Sequence, residues 1–300
     1  MKKKALLYIV IACVFWGSSC IFVNALAPFG FSSVQMVSMR GSVAAIGMMV
    51  YSFLTNRKLF KASLKEIVLF ACSGLSMFGT ASCYYMSMQI SSVSMAVVLM
   101  YTAPVFVMVY SVLFLGERLT KMKLCALIGM LVGCCLVSGI AGGVKINIPG
   151  IVTGLASGIF YSAYNIFTKI QMRNRSNPVS ASMYCFVFMS IIALSMADLP
   201  SMMTMTAQTP GKIIPLFIGI GVCVCLLPYF LYTLALKDLP AGTASALGIL
   251  EPMVATVFSV VLYHEKLSVY SIFGIVLILG SVLLLSRSEA HGMDSGDEID

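Results

Sequence analysis

The chain has 300 residues, of which 60% are hydrophobic and only 10% are charged, and its mean hydropathy is +0.99. A soluble domain carries about a quarter charged residues, so a water-soluble fold is excluded and the bilayer is the solvent. The formal charge of +8 would point a soluble protein toward nucleic acid, but these basic residues fall in loops between apolar runs and imply no nucleic-acid partner.

At roughly 20 apolar residues per helical crossing, the length accommodates about ten spans and no separate soluble domain. In chain order, apolar runs bounded by polar, Gly or Pro residues predict helices over 5–27, 33–54, 66–88, 92–115, 122–141, 149–171, 179–199, 212–236, 241–263 and 267–286. The fold class is therefore all-α, a polytopic membrane protein with ten transmembrane helices. Met1 to Lys4 resemble the opening of a signal peptide, but the run that follows is long enough to span and reads as the first retained helix.

Lysine and arginine set the orientation, because cytoplasmic loops are enriched in them. With the N-terminus inside, the cytoplasmic side collects fifteen, from Lys2, Lys3 and Lys4 through Arg57, Lys58, Lys121 and Arg173 to Arg287; the opposite side collects Lys145, Lys212 and Lys266. This predicts a multi-pass protein of the cell (inner) membrane with both termini cytoplasmic. Residues 287–300, polar and acidic, read as a disordered cytoplasmic tail. All ten cysteines fall inside apolar runs, so they read as small packing residues and no metal site is expected.

Residues 101–119, "YTAPVFVMVYSVLFLGERL", align without a gap to 249–267, "ILEPMVATVFSVVLYHEKL". Pro104 matches Pro252 and Glu117 matches Glu265, while Ala103 stands where the second copy has Glu251. The chain thus reads as two repeats, 1–141 and 149–286. Five helices per half is an odd number, so the second half enters the membrane upside down. Inverted repeats place a site near the midplane between the halves and permit two alternative packings.

Two five-helix halves, each ending in a Pro-containing helix and a Glu-basic-Leu turn ("GERLT", "HEKLS"), with "ALKDLPAGTASALGILEP" before the second, resemble the EamA family of the drug/metabolite transporter superfamily. The resemblance covers about residues 5 to 286. It implies movement of small organic solutes, often amino acids and often outward, through a central cavity lined mainly by helices 1, 3, 4, 6, 8 and 9.

Glu251 lies about ten residues into its span, roughly 15 Å deep at 1.5 Å per residue, near the midplane. A carboxylate there either binds a cationic group or a proton, coupling protonation to the conformational switch, or ties its helix to a neighbour. Pro104, Pro228 and Pro252 lie mid-span, free the carbonyls four residues back and are candidate hinges. Helix 6 presents Tyr161, Tyr164 and Asn165 among small polar residues, with Trp16 and Cys20 as counterparts on helix 1. Tyr84, Tyr85 and Tyr101 in the first half, with Tyr229 and Tyr232 in the second, complete an aromatic set at similar depths, of which Tyr84, Tyr101 and Tyr232 join the cavity candidates. Interfacial anchoring or packing is the alternative for each. Arg40, seven residues into helix 2, reads as snorkelling toward the outer surface, with a substrate carboxylate as the other option. Lys169 reads as a boundary marker, and Gly154-xxx-Gly158 and Gly129-xxx-Gly133 as internal packing rather than dimer motifs.

The chain has no G-x-x-x-x-G-K-[ST] phosphate loop, no G-x-S-x-G elbow and no H-E-x-x-H helix, so no catalytic residues, enzyme activity or cofactors are assigned. The reading is a secondary transporter of small organic metabolites, amino acids or related amphipathic solutes, working by alternating access as an exporter. Its partners are a small-molecule substrate, the lipid bilayer and protons as coupling ion, and the chain is read as a monomer. The rival is a non-transporting membrane sensor or assembly scaffold on the same fold. A polar, solvent-sized cavity between the repeats separates the two.

Overall fold

The computed structural model describes residues 2–91, 93–116, 119–137, 147–263 and 268–294. The two repeat turns at Glu117–Arg118 and Glu265–Lys266 lie outside them. Every regular element among the described residues is helical, as expected where a bilayer leaves no water to satisfy an open sheet edge.

The first apolar run forms α1 (Lys2–Gly17) and α2 (Ser19–Leu26), separated at Ser18, whose hydroxyl bonds back to the Phe15 carbonyl at 2.7 Å. A 3₁₀ turn, Ala27–Phe29, and Gly30 at φ 74° reverse the chain. Then α3 (Ser33–Thr55) starts on a capping box, with Ser32 and Gln35 satisfying each other's backbone N–H groups. The same device, Ser63 with Glu66, starts α4 (Leu64–Ile90). Both boxes hold donors that a helix start otherwise leaves unpaired, which is why these boundaries are sharp.

The run expected as one helix over 92–115 is two, α5 (Val93–Met100) and α6 (Ala103–Phe114), with the break at Tyr101–Thr102. Pro104 has no N–H for the carbonyl of Met100, so the ladder stops there. α7 (Lys121–Val137), α8 (Ile148–Arg173) and α9 (Pro178–Met196) follow. Asn147 and Asn177 cap the last two, accepting from Gly150 N and Val179 N.

A helix the apolar pattern does not announce, α10 (Leu199–Gln208), occupies the connection after α9. Asp198 caps it by accepting from Ser201 N, and Pro200 sits in its first turn. It buries no residue, so it has no apolar run to betray it.

α11 (Pro210–Gly219) leads through a π-helical turn, Ile220–Leu226, into α12 (Leu227–Asp238), with Pro228 in the first turn after the widened segment. The final apolar runs give α13 (Ala241–Leu247), α14 (Leu250–Tyr263) and α15 (Val269–Asp294). The span expected over 241–263 is thus also split, at Gly248–Ile249, four residues before Pro252. α15 continues to Asp294, so residues 287–294, expected as a disordered tail, are helical.

Six stretches are long and apolar enough by themselves to cross a membrane: Ser33–Thr55, Leu64–Ile90, Met95–Phe114, Pro178–Met196, Pro210–Asp238 and Ala241–Leu262. Large side chains such as Ile46, Val50, Leu113, Phe114, Val276 and Leu283 are exposed. So much exposed apolar surface suits lipid and not water. Buried serines and threonines such as Ser76, Thr80 and Ser190 bond back to the carbonyl four residues earlier, which lets a membrane helix carry a hydroxyl without a partner on another chain segment.

The packing sets α1, α3, α4, α8, α9 and α12 at the centre, with α7 and α15 paired against each other. α8 approaches the first break closely: a Cβ on Gly158 would lie 3.0 Å from the Leu99 carbonyl oxygen and 3.2 Å from that of Met100. α7 meets α15 in the same way, with a Cβ on Gly133 reaching 2.9 Å from the Gly274 carbonyl oxygen. Both small-residue pairs therefore serve packing within the chain.

Candidate functional site

The helix breaks surround a cavity of about 280 Å³. α1, α3, α4 and α12 supply its walls through Trp16, Arg40, Tyr84, Tyr85 and Tyr229, while Met100 and Glu251 enter from the two broken spans and Val224 from the π-helical turn. Ser33 and Gln89 form the rim, joined by a Gln89 Nε2 donation to Ser33 Oγ at 2.5 Å. Ser33 begins α3 and Gln89 almost ends α4, whereas Thr80 lies nine residues further in. At 1.5 Å per residue the cavity reaches about 13 Å into the bundle. It is therefore open toward one end of the helices and stops near their middle.

Two charged side chains share this space. Glu251, partly accessible, accepts a hydrogen bond from the Tyr101 hydroxyl at 2.6 Å. The helix break puts it in the first turn of α14, where exposed N–H groups favour a negative charge. Opposite in sign, Arg40 is only 8% exposed. Its guanidinium lies over the Tyr85 ring at 5.6 Å and donates a long bond of 3.4 Å to the Tyr85 hydroxyl. Its Nε is buried without a hydrogen-bond partner. Arg40 thus does not snorkel to the surface; the wall of α3 that faces α4 and the π-helical turn holds it in the cavity.

The cavity candidates from the sequence divide into two groups. Trp16 and Tyr84 line the open space, together with Tyr85 and Tyr229. Tyr101, Tyr161, Tyr164, Asn165 and Tyr232 do not; they are buried to 5% exposure or less and pack beneath it as a plug. Cys20 has a side chain outside the described residues. In the plug the Tyr232 hydroxyl donates to Asn165 Oδ1, and Asn165 Nδ2 donates to the Tyr161 carbonyl at 2.7 Å. Rings connect plug to wall: Trp16 meets Tyr229 edge-on at 4.9 Å, Tyr229 meets Tyr164 at 5.6 Å, and Tyr164 stacks on Tyr161 at 6.3 Å. Such pairs add roughly 0.5–1.5 kcal/mol each beyond area burial.

The three candidate hinges all sit at interruptions of the helical ladder. Pro104 follows the break at Tyr101–Thr102, Pro252 follows that at Gly248–Ile249, and Pro228 follows the π-helical turn. Side chains engage the loosened backbone: Cys13 Sγ approaches the Leu247 carbonyl at 3.5 Å, and Ser162 Oγ donates to the Ala103 carbonyl at 3.1 Å. α1 thus addresses one break and α8 the other.

Below the plug the bundle is tied shut. Lys169 Nζ donates to the carbonyls of Leu236 and Leu239 at 2.9 and 2.5 Å. Gln171 bonds Ser73 Oγ at 2.6 Å and the Leu69 carbonyl at 2.9 Å, Ser176 bonds Glu66 at 3.0 Å, and Arg173 bonds the Leu115 carbonyl at 3.1 Å. These bonds join segments far apart in sequence, at the end opposite the rim.

Of the residues that define the cavity, Arg40 is the one the sequence reading misplaced, and Tyr85 and Tyr229 were named only as members of an aromatic set. The signal for Arg40 was its intramembrane position. The apolar residues surround it on every face of its helix, so no periodicity marks the inward side.

Comparison with known proteins places this architecture. The family model described as the EamA-like transporter family matches twice, over residues 3–139 and 148–287. A protein of Bacillus subtilis named "Uncharacterized transporter YwfM" is 24% identical over 285 residues, covering 94% of this chain and 93% of that one. An "Uncharacterized transporter" of Clostridium kluyveri is 24% identical over 302 residues, covering 96% and 94%. Another from Archaeoglobus fulgidus is 28% identical over 216 residues, covering 71% and 75%. A solved chain titled "Crystal structure of protein" shares the fold, with a TM-score of 0.79 over 95% of this chain and 96% of that chain at 15% identity. Two family matches, with that fold, make this chain a member of the EamA-like transporter family of the drug/metabolite transporter superfamily.

Proposed function

We propose that the protein is a secondary transporter that exports small organic metabolites, amino acids or related amphipathic solutes, by alternating access. The observation that carries this reading is the cavity of about 280 Å³, charged and aromatic, open toward one end and stopped by a packed plug. Ligand pockets run from roughly 300 to 1,000 Å³, so its size favours a small solute. A dry interface would favour the sensor or scaffold instead.

The architectural frame is ten helices in two inverted repeats, 1–141 and 149–286, acting as a monomer. Its support is an exchange pattern in the packing. α8 contacts the broken span of α5 and α6 as α1 contacts that of α13 and α14, and α4 meets α8 as α12 meets α1. The pairs α3 with α9 and α7 with α15 map onto themselves. With the basic loops in the cytoplasm, the tied end faces inward and the cavity faces outward. In the opposite state the plug opens about the breaks at Pro104, Pro228 and Pro252, and Tyr101, Tyr161, Tyr164, Asn165 and Tyr232 come to line the path.

Glu251 couples a proton to this switch, since it stands between the cavity and the plug through its bond to Tyr101. The test is Glu251→Gln in proteoliposomes loaded with a metabolite mixture and given a pH gradient. Flux driven by the gradient is lost while the variant stays folded and monodisperse. Proton dependence equal to the wild type ends the coupling role, and absence of any solute flux through the folded wild type ends the transporter reading.

A further inference from the structure

Arg40 and Glu251 together make the cavity bipolar, and this has a consequence for what it accepts. Placing an arginine at membrane depth costs about 3 kcal/mol or more. Apart from the opposite charge of Glu251 in the same cavity, what offsets that cost within the protein is small: one long bond to Tyr85 and a ring contact at 5.6 Å, the latter worth about 0.5–2 kcal/mol. Arg40 Nε and Trp16 Nε1, both from residues that line the cavity, are buried donors without a partner. Arg40 and Trp16 are 8% and 5% exposed. Two unpartnered donors beside one space, one of them part of a guanidinium, suit an acceptor of negative charge, and a planar carboxylate matches the guanidinium fork in two places.

Resting on the transporter reading above, we propose that Arg40, with Trp16, forms a carboxylate subsite, that Glu251 forms the matching ammonium subsite, and that the cavity selects solutes carrying both groups. The dimensions agree. The cavity, about 280 Å³ in volume and about 13 Å deep, lies just under the small end of ligand pockets. An α-amino acid spans about 3 Å between its charged groups, and two charge-assisted bonds of about 2.8 Å bring the total to roughly 8–9 Å. Tyr84, Tyr85 and Tyr229 then face the solute's side chain and the ammonium's flank, where ring faces favour a cation. A solute with a single charge leaves one pole unmatched in a confined space.

The experiment measures binding to the purified full chain in nanodiscs. The twenty common amino acids are first screened by thermal stabilisation. The strongest binder is then titrated beside its methyl ester, which keeps the ammonium alone, and its deaminated acid, which keeps the carboxylate alone. Each single-charge analogue binds about 10- to 100-fold more weakly than the zwitterion. Arg40→Gln removes the preference for zwitterion over ester, Arg40→Lys keeps part of it, and Glu251→Gln removes the preference for zwitterion over acid. An ester or an acid that binds the wild type as tightly as the zwitterion overturns the proposal. So does an unchanged preference in folded Arg40→Gln, or a screen in which no amino acid stabilises the protein. Should the screen fail while the proteoliposomes still carry other metabolites, the bipolar site falls and the transporter reading stands.

Discussion

Replacing Lys169 with Met removes a specific tie at the closed end of the bundle. The ammonium donates to two carbonyls, Leu236 at 2.9 Å and Leu239 at 2.5 Å. Both lie at the C-terminus of α12, where carbonyls lack helical partners and the helix dipole favours a cation. A hydrogen bond from a charged donor contributes roughly 1.5–3 kcal/mol, so loss of both, discounted for partial exposure, weakens this end by about 2–3 kcal/mol. If the tie holds the closed side only in this conformation, the same free energy shifts the balance between states by about 30- to 150-fold. Hydrogen–deuterium exchange reads it directly. Amides over 236–241 in Lys169→Met should exchange at least about tenfold faster, while the Ser63-capped start of α4 stays protected. Exchange in 236–241 equal to the wild type, in a folded variant, would show that the contact holds nothing and that Lys169 only marks the membrane boundary.

Gly158→Leu should prevent α8 from seating on the first helix break. Its Cβ would stand 3.0 Å from the Leu99 carbonyl oxygen and 2.9 Å from Thr102 Oγ1, and overpacking of this kind costs about 1–3 kcal/mol before the longer branch is placed; a lower melting temperature in detergent is expected, and an unchanged one contradicts the packing. Asn165→Leu removes the acceptor of the buried Tyr232 hydroxyl, at about 1–3 kcal/mol, and the second donor to the Tyr161 carbonyl, which keeps its helical partner. The plug should loosen, seen as faster exchange in 161–168 with the capping boxes of α3 and α4 unaffected; equal exchange would place those bonds outside the closure.

Much of the helical pattern follows from local chemistry. Long apolar runs must be helical in lipid, and a proline without an N–H frees the carbonyl four residues back, which is where two spans expected as single helices divide. The Ser-x-x-Gln and Ser-x-x-Glu boxes that fix two starts carry the same kind of local signal, though the apolar pattern does not use it. The missed α10 shows the boundary of that logic: ten residues with no buried side chain carry no apolar run, and their helix rests on the Asp198 cap and Pro200. The continuation of α15 through Asp294 likewise follows no apolar run in the sequence.

Arg40 and the tyrosines mark what local chemistry leaves open. Sequence spacing gives a residue's depth along a helix, because the rise per residue is constant, and so both Glu251 and Arg40 were placed at membrane depth. It does not give direction around the axis when every face is apolar. Only the packing of α3 against α9 and the π-helical turn turns Arg40 into the cavity, aided by Gly221, where a Cβ would lie 3.3 Å from the Arg40 carbonyl oxygen. Likewise, nothing in the spacing separates Tyr84 and Tyr229, which line open space, from Tyr161 and Tyr232, which fill the plug. The sequence by itself determined a helical membrane protein, its duplicated pattern and the positions of its charges along their helices, since these depend on composition and helical rise. The tertiary structure alone decided which end is open and that two opposite charges share one cavity, since these depend on how non-adjacent helices rotate and close against one another.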